Sequence, residues 1–308
     1  VPGSSGAGPE SKPDDPPPTR TIVRAGRTVA FTVLGDPRGT PILAAHGSPG
    51  SRYQLLPLHE EARTAGVRII ALDRPGVGGT SAAKRSHRAS DTRFGGAAAL
   101  DAVAVLDALG VAQATALGFS GGAGYALELA RSFPSRIARV VLACGMVPGA
   151  PRAALARRIP IVSTLYTVAR FAPLLATAML DGRGPFRSTR AANTAAWPAA
   201  DRAVMADAAV QETLAADREA SASNGSRPAV EDLRITRRSY PLQEVHQPVT
   251  LLHGSADGNV PIGVARWAAA TLPNAQLIEL PQLGHYFAVT HPGVVISALT
   301  AGGATAAR

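Results

Sequence analysis

The sequence predicts an α/β protein: a mostly parallel sheet with helices on both faces, interrupted by an inserted helical segment. Three observations predict it. Short apolar runs alternate with helical patterns. Polar, chemistry-bearing residues gather at the carboxyl ends of those runs. The rhythm stops over 148–243 and then resumes.

In chain order, residues 1–20 are rich in Pro, Gly, Ser and Asp and read as a disordered tail. The stretches 21–23 and 28–34, joined through a turn at Gly26, read as an N-terminal antiparallel pair. The run 42–45 ends at His46-Gly47, and a helix is expected over 53–65. The run 67–72 ends at Asp73-Arg74-Pro75-Gly76. A longer helix is expected over 91–109, with Leu100, Val103, Leu106 and Leu109 on one side at three-residue steps. The run 114–118 ends at Phe119-Ser120, followed by a helix to about Phe133 that Pro134 stops. Residues 139–143 form the next strand. Continuous apolar strands of this length suit a sheet buried on both faces.

From 148 to 243 there are helical patterns, several prolines and no clear strand, which reads as a helical cap over the strand ends. The strand–helix rhythm returns with 249–252, a helix at 261–271, a strand at 276–280 and a last helix from about 291. The expected division is a core of 21–147 and 244–301, a cap of 148–243, and a flexible tail at 302–308.

Bulk properties narrow the function. With 308 residues, 46% hydrophobic and 17% charged, the chain can bury a large core. The net charge of +9 is almost all arginine, since Lys12 and Lys84 are the only lysines. The arginines are scattered, the tightest pairs being Arg157-Arg158 and Arg237-Arg238, so no nucleic-acid-binding arm is expected. The one cysteine, Cys144, follows an apolar run and reads as a small buried residue. There is no export-type apolar stretch and no run long enough to span a membrane, so a cytoplasmic protein is expected. The chain opens with Val rather than Met, which leaves an earlier or processed start open. Motifs for zinc proteases, P-loops and dinucleotide folds are missing from the text, so neither metal nor cofactor is expected.

The sharpest local feature is Gly118-Phe119-Ser120-Gly121-Gly122, a G-x-S-x-G pattern between a strand and a helix. The glycines permit a tight turn that side chains would crowd. Such a turn presents the Ser120 hydroxyl and aims the Gly121 N–H at the same point, as half of an oxyanion hole. The second donor is assigned to the Ser48 N–H, in the loop His46-Gly47-Ser48-Pro49-Gly50-Ser51. A serine needs a base. His285, in Leu283-Gly284-His285-Tyr286-Phe287 just beyond a strand, is the best placed of seven histidines. His46 reads as structural, and His253 as part of a turn with Gly254. Asp257, just past the strand ending at Leu252, is the candidate acid; Asp73 is its rival but more naturally pins its own Gly-rich turn.

With these motifs in this order, the chain resembles the α/β-hydrolase superfamily from about residue 21 to 300. The resemblance rests on 46–51, 73–81, 118–122, 254–261 and Gly284-His285. It implies the α/β-hydrolase fold, with an eight-stranded sheet and a helical cap. It also carries the triad roles onto Ser120, Asp257 and His285, and the oxyanion roles onto Ser48 and Gly121. The implied activity is serine hydrolysis of a carboxylic ester or related acyl compound of small size. Haloalkane dehalogenases and epoxide hydrolases use an Asp nucleophile, against which Ser120 argues. Proline iminopeptidases share the His-Gly-x-Pro-Gly loop but typically carry Trp where this chain has Gly121. Their cap acids bind a free amine, whereas Asp201, Asp207, Glu212, Asp217 and Glu219 here read as solvated helix positions. Peptidase activity, and lyase, cyclase, acyl-transfer or carbon–carbon bond chemistry on the same triad, remain the alternatives.

Overall fold

The computed structural model describes residues 17–83, 95–190 and 197–301, and for 188–190 the backbone alone. Most of the expected N-terminal tail, the tail at 302–308, the first turn of the helix expected from 91, and His87 lie outside the described residues.

The first half of the core runs β1 (Arg20–Arg24), β2 (Arg27–Gly35), β3 (Thr40–Ala45), α1 (His59–Thr64), β4 (Val67–Leu72), α2 (Gly96–Ala108), β5 (Ala114–Phe119), α3 (Ala123–Ser132) and β6 (Ile137–Ala143). Between β6 and β7 the described chain is helical, with no strand: α4 (Pro160–Phe171), α5 (Pro173–Leu180), α6 (Ala199–Ala206), α7 (Ala208–Thr213), α8 (Ala215–Ala222) and α9 (Arg227–Ile235). The core resumes with β7 (Val249–Gly254), α10 (Ile262–Thr271), β8 (Ala275–Leu280), α11 (Phe287–Thr290) and α12 (Pro292–Thr300).

The strands form one eight-stranded sheet in the order β1-β2-β4-β3-β5-β6-β7-β8. β1 and β2 pair antiparallel, β2 meets β4 antiparallel, and the other pairings are parallel. The expected antiparallel pair and α/β architecture are both present. One element differs: the helix expected over 53–65 begins as a 3-10 segment, Arg52–Leu58, and becomes α-helical only at His59. Pro57 lies inside that segment and has no N–H to give to an α-helical ladder.

Alternation along the strands divides the core in two. Ile70 of β4 and Leu43 of β3 pack with Val105, Leu106 and Leu127 of α2 and α3. Ile69 and Ile42 face the other way, with Leu58, Val295 and Leu299 around α12. Burial of each such Leu or Ile contributes about 1.5–3 kcal/mol.

This topology sets the position of the site. From β3 the chain crosses to β4 on one side, and β5 then adds on the other side of β3, so the strand order reverses between β3 and β5. The loops after those two strands therefore diverge and leave a crevice at their carboxyl ends. The register places Ala45 opposite Gly118, so His46–Ser48 and Phe119–Gly121 emerge side by side.

Candidate active site

Ser120 leaves β5 with φ of +49°, in the left-handed region that non-glycine residues rarely occupy. Its neighbours explain the glycines around it. A Cβ on Gly122 would stand 2.1 Å from the Ala45 carbonyl oxygen, and one on Gly118 would stand 2.8 Å from Ala123 Cα. The turn closes against β3 and α3 only because those positions lack side chains.

The Ser120 hydroxyl lies 3.0 Å from His285 Nε2, and His285 Nδ1 lies 2.7 Å from Asp257 Oδ2. An ionised carboxylate only accepts, so Nδ1 carries the proton and Nε2 is left to accept from the serine. The three residues come from the ends of β5, β7 and β8, brought together from 165 positions of separation in the longest case. All three side chains that sequence reasoning singled out thus meet.

The surroundings hold this arrangement. Asp257 is fully enclosed, and burial pushes its carboxyl up; the opposing charge of His285 and hydrogen bonds from His253 and His285 outweigh that and hold it well below the usual carboxylate range. Its Oδ1 accepts from the N–H groups of Asn259 and Val260. Burial lowers the His285 imidazole, but the Asp257 carboxylate beside it carries the balance upward. Phe119 and Tyr286 flank the ring, with Trp197 stacked on Tyr286.

Gly121 and Ser48 are adjacent: a Cβ on Gly121 would lie 3.2 Å from Ser48 N. No acceptor among the described residues takes the Ser48 N–H. The loop that carries it is tied from several sides. Gln54 Oε1 accepts from Gly47 N at 2.5 Å. Arg74 donates to the Gly47 carbonyl (2.8 Å) and to Ser48 Oγ (2.7 Å). His46 is buried and neutral, donating from Nδ1 to the Gly47 carbonyl while Nε2 accepts from Arg74 N. Asp73 lies away from His285 and accepts from Arg52 N and Gly79 N, as expected of a turn-pinning residue.

Two expectations need correction. His253 is not in a turn: it lies within β7, buried, with Nε2 donating to the Val260 carbonyl at 2.7 Å and 3.4 Å from Asp257 Oδ2, so it braces the acid's loop. Asp201 and Asp217 are not solvated. They are 1% and 7% exposed, because the helical insertion is pressed onto the core loops. Asp201 accepts from Tyr286 N (3.2 Å), and Asp217 accepts from the N–H and hydroxyl of Ser51 (2.6 and 2.7 Å). Among the apolar residues of the insertion, Tyr166 is buried, whereas Phe171 and Leu174 are 75% and 85% exposed.

Sequence reasoning passed over Asp232 of α9. It accepts from Ser48 Oγ (2.5 Å), Arg74 Nη2 (2.6 Å) and Tyr125 OH (2.5 Å). No local motif marks it; its partners are 107 to 184 positions away. Cys144, Asp257 and His285 offer donor atoms within 4.8 Å of one another, but the imidazole and the carboxylate are engaged with each other and with Ser120. No helix among the described residues is long and apolar enough to cross a membrane.

Comparison with known proteins agrees with this architecture. A family model described as the alpha/beta hydrolase fold matches residues 40–292. The 2-hydroxymuconate semialdehyde hydrolase of Pseudomonas putida is 28% identical over 276 residues, covering 88% of this chain and 89% of that protein. The poly(3-hydroxyalkanoate) depolymerase of Ectopseudomonas oleovorans is 34% identical over 43% of this chain, a match that spans 47% of the relative. Among solved structures, an esterase, RhEst1, from Rhodococcus sp. ECU1013 superposes with a TM-score of 0.65 at 22% identity, covering 93% of this chain and 98% of that one. A bromoperoxidase from Bacillus anthracis superposes with the same TM-score at 20% identity, covering 92% and 99%. The chain belongs to the α/β-hydrolase fold family and is an enzyme of that family.

Proposed function

We propose that the protein cleaves a carboxylic ester or a related small acyl compound through an acyl-enzyme formed on Ser120. The observation that carries this reading is the continuous line from Ser120 Oγ through His285 to Asp257, at 3.0 and 2.7 Å. His285 takes the serine proton as Oγ attacks the carbonyl carbon, then delivers it to the leaving group. Asp257 keeps the imidazole in the required tautomer and stabilises its charged form. The N–H groups of Ser48 and Gly121 receive the oxyanion, a contribution of about 3–4 kcal/mol per donor in comparable sites. Water, activated by His285, then releases the acid and restores the serine.

In this reading residues 148–243 are a cap over the site and 21–147 with 244–301 are the core. Asp201, Asp217 and Asp232, from α6, α8 and α9, are the cap's anchors on the loops that carry the donors and the base. The similarity to the hydrolase of P. putida over most of both chains supports hydrolytic chemistry.

The test is labelling with a neutral fluorophosphonate, with peptide mapping, alongside turnover of p-nitrophenyl butyrate. The expected result is a single adduct on Ser120 and ester turnover lost in Ser120→Ala. Failure to label Ser120 would remove the acyl-enzyme reading. A proline naphthylamide in the same assay separates esterase from peptidase specificity.

A further inference from the structure

Arg158 is a buried cation whose charge meets no carboxylate among the described residues. It is 8% exposed, and it lies in the insertion between the 3-10 turn Arg152–Leu155 and α4. One face of its guanidinium stacks over the Tyr166 ring at 4.3 Å. Nη2 approaches only the Met146 thioether, at 2.8 Å, and Nε has no partner. Nη1 bonds to nothing among the described residues and is not among the sealed polar atoms. The other buried arginines share the unpartnered Nε but each has a carboxylate: Arg52 pairs with Asp73, and Arg74 with Asp232.

Its neighbours place it beside the reacting groups. Met146, on which Nη2 rests, donates its N–H to the Ser120 carbonyl at 2.8 Å. Ile159, the next residue, donates its N–H to the carbonyl of Gly258, directly after Asp257. Arg158 therefore sits between the loop following β6 and the loop carrying the acid. Burial pushes the Arg158 pKa down, against the opposing influence of Tyr166 and Asp257, and both oxygens of the Asp257 carboxylate are already bonded to His285, Asn259 and Val260.

Arginine cannot shed its charge by deprotonation in a protein, and burying it without a partner costs free energy that stacking and a thioether recover only in part. Such a cation is retained where an anion completes it. We propose that Arg158 is the recognition residue for a substrate whose acyl part carries a free carboxylate away from the scissile bond. The planar guanidinium, fixed against Tyr166 and Met146, offers its open end to that carboxylate. This rests on the acyl-enzyme reading, and it narrows the substrate class to monoesters or related monoacyl derivatives of dicarboxylic acids.

The experiment uses the p-nitrophenyl monoesters of succinic, glutaric, adipic and pimelic acids against the corresponding methyl p-nitrophenyl diesters. The free acid is expected to be favoured at its best chain length by about 10- to 100-fold in kcat/KM, mainly through KM, as for a charge-assisted hydrogen bond. Arg158→Gln is expected to bring that ratio to about one, with Arg158→Lys keeping part of it. Absence of an acid preference at every chain length, or a preference that persists in Arg158→Gln, overturns the proposal. So does an Arg158→Met variant that melts several degrees lower than the parent, because that outcome marks the arginine as a structural staple for Tyr166. If Ser120 labels with the fluorophosphonate while the preference is missing, this inference alone fails. If neither labelling nor ester turnover occurs, the acyl-enzyme reading fails, and calorimetric binding of glutarate to parent and Arg158→Gln still decides the role of Arg158.

Discussion

Asp232 accepts a hydrogen bond from the Ser48 hydroxyl at 2.5 Å, across 184 positions of chain. The same carboxylate meets Arg74, which in turn binds the Gly47 carbonyl. Helix α9 thereby fixes the backbone whose N–H is proposed to receive the oxyanion. Asp232→Asn keeps the shape and removes the charge. It is expected to lower kcat about 10-fold with little change in KM, since small displacements of a positioned donor are costly to rate. Both variants leave Arg74 without its counter-charge, and Asp232→Ala, which also removes the acceptors for Ser48 and Tyr125, is expected to destabilise the fold by about 3–5 kcal/mol. Steady-state kinetics and denaturant titration check both.

The His285–Asp257 pair predicts the pH profile. The base acts only when unprotonated, and Asp257 raises the imidazole pKa above its ordinary 6.5. kcat/KM should therefore rise with pH, with its acid limb centred above 6.5. Asp257→Asn removes the carboxylate charge, so that midpoint should move down while kcat falls by about 10³- to 10⁴-fold. A limb centred below 6.5 in the parent would contradict the assigned role.

Asp217 predicts a stability profile. Burial raises its pKa to about 6, against the hydrogen bonds that Ser51 donates; the charge of Asp73 nearby adds to the rise. From its ordinary 3.8 up to about 6 the folded state holds the proton more tightly than the unfolded state does, so stability falls as pH rises through that window. The penalty above it is of order 3 kcal/mol. Asp217→Asn still accepts from Ser51 and titrates nothing. Its melting temperature should exceed the parent's by several degrees at pH 8 and match it near pH 4. Parallel melting curves across that range would refute the assignment.

Gly122→Ala tests the turn. The new Cβ would stand 2.1 Å from the Ala45 carbonyl oxygen, a backbone atom within the sheet that cannot rotate away. The variant should lose 3 kcal/mol or more, at the upper end of overpacking penalties, and label poorly on Ser120. Gly110→Ala is a control for loop glycines with open space around them, though its φ of +65° carries its own modest strain.

The strands were legible because their apolar runs are continuous and bounded by turn residues, and Ser120, Asp257 and His285 were legible because each stands just past such a run. The 3-10 start at Arg52 was hidden by a pattern equally compatible with an α-helix. Asp201, Asp217 and Asp232 could not be read as buried, since no local pattern in their helices marks those positions and the partners lie on distant loops.

What the sequence alone determined, then, is the order of elements and the identity of the groups at the strand ends, because hydrophobic periodicity and turn chemistry are local properties. What only the tertiary structure decided is which polar side chains the insertion buries, how they tie down the Ser48 and His285 loops, and that Arg158 has no carboxylate partner among the described residues. Those outcomes depend on how one packed layer settles on another, and no window of neighbouring residues contains that information.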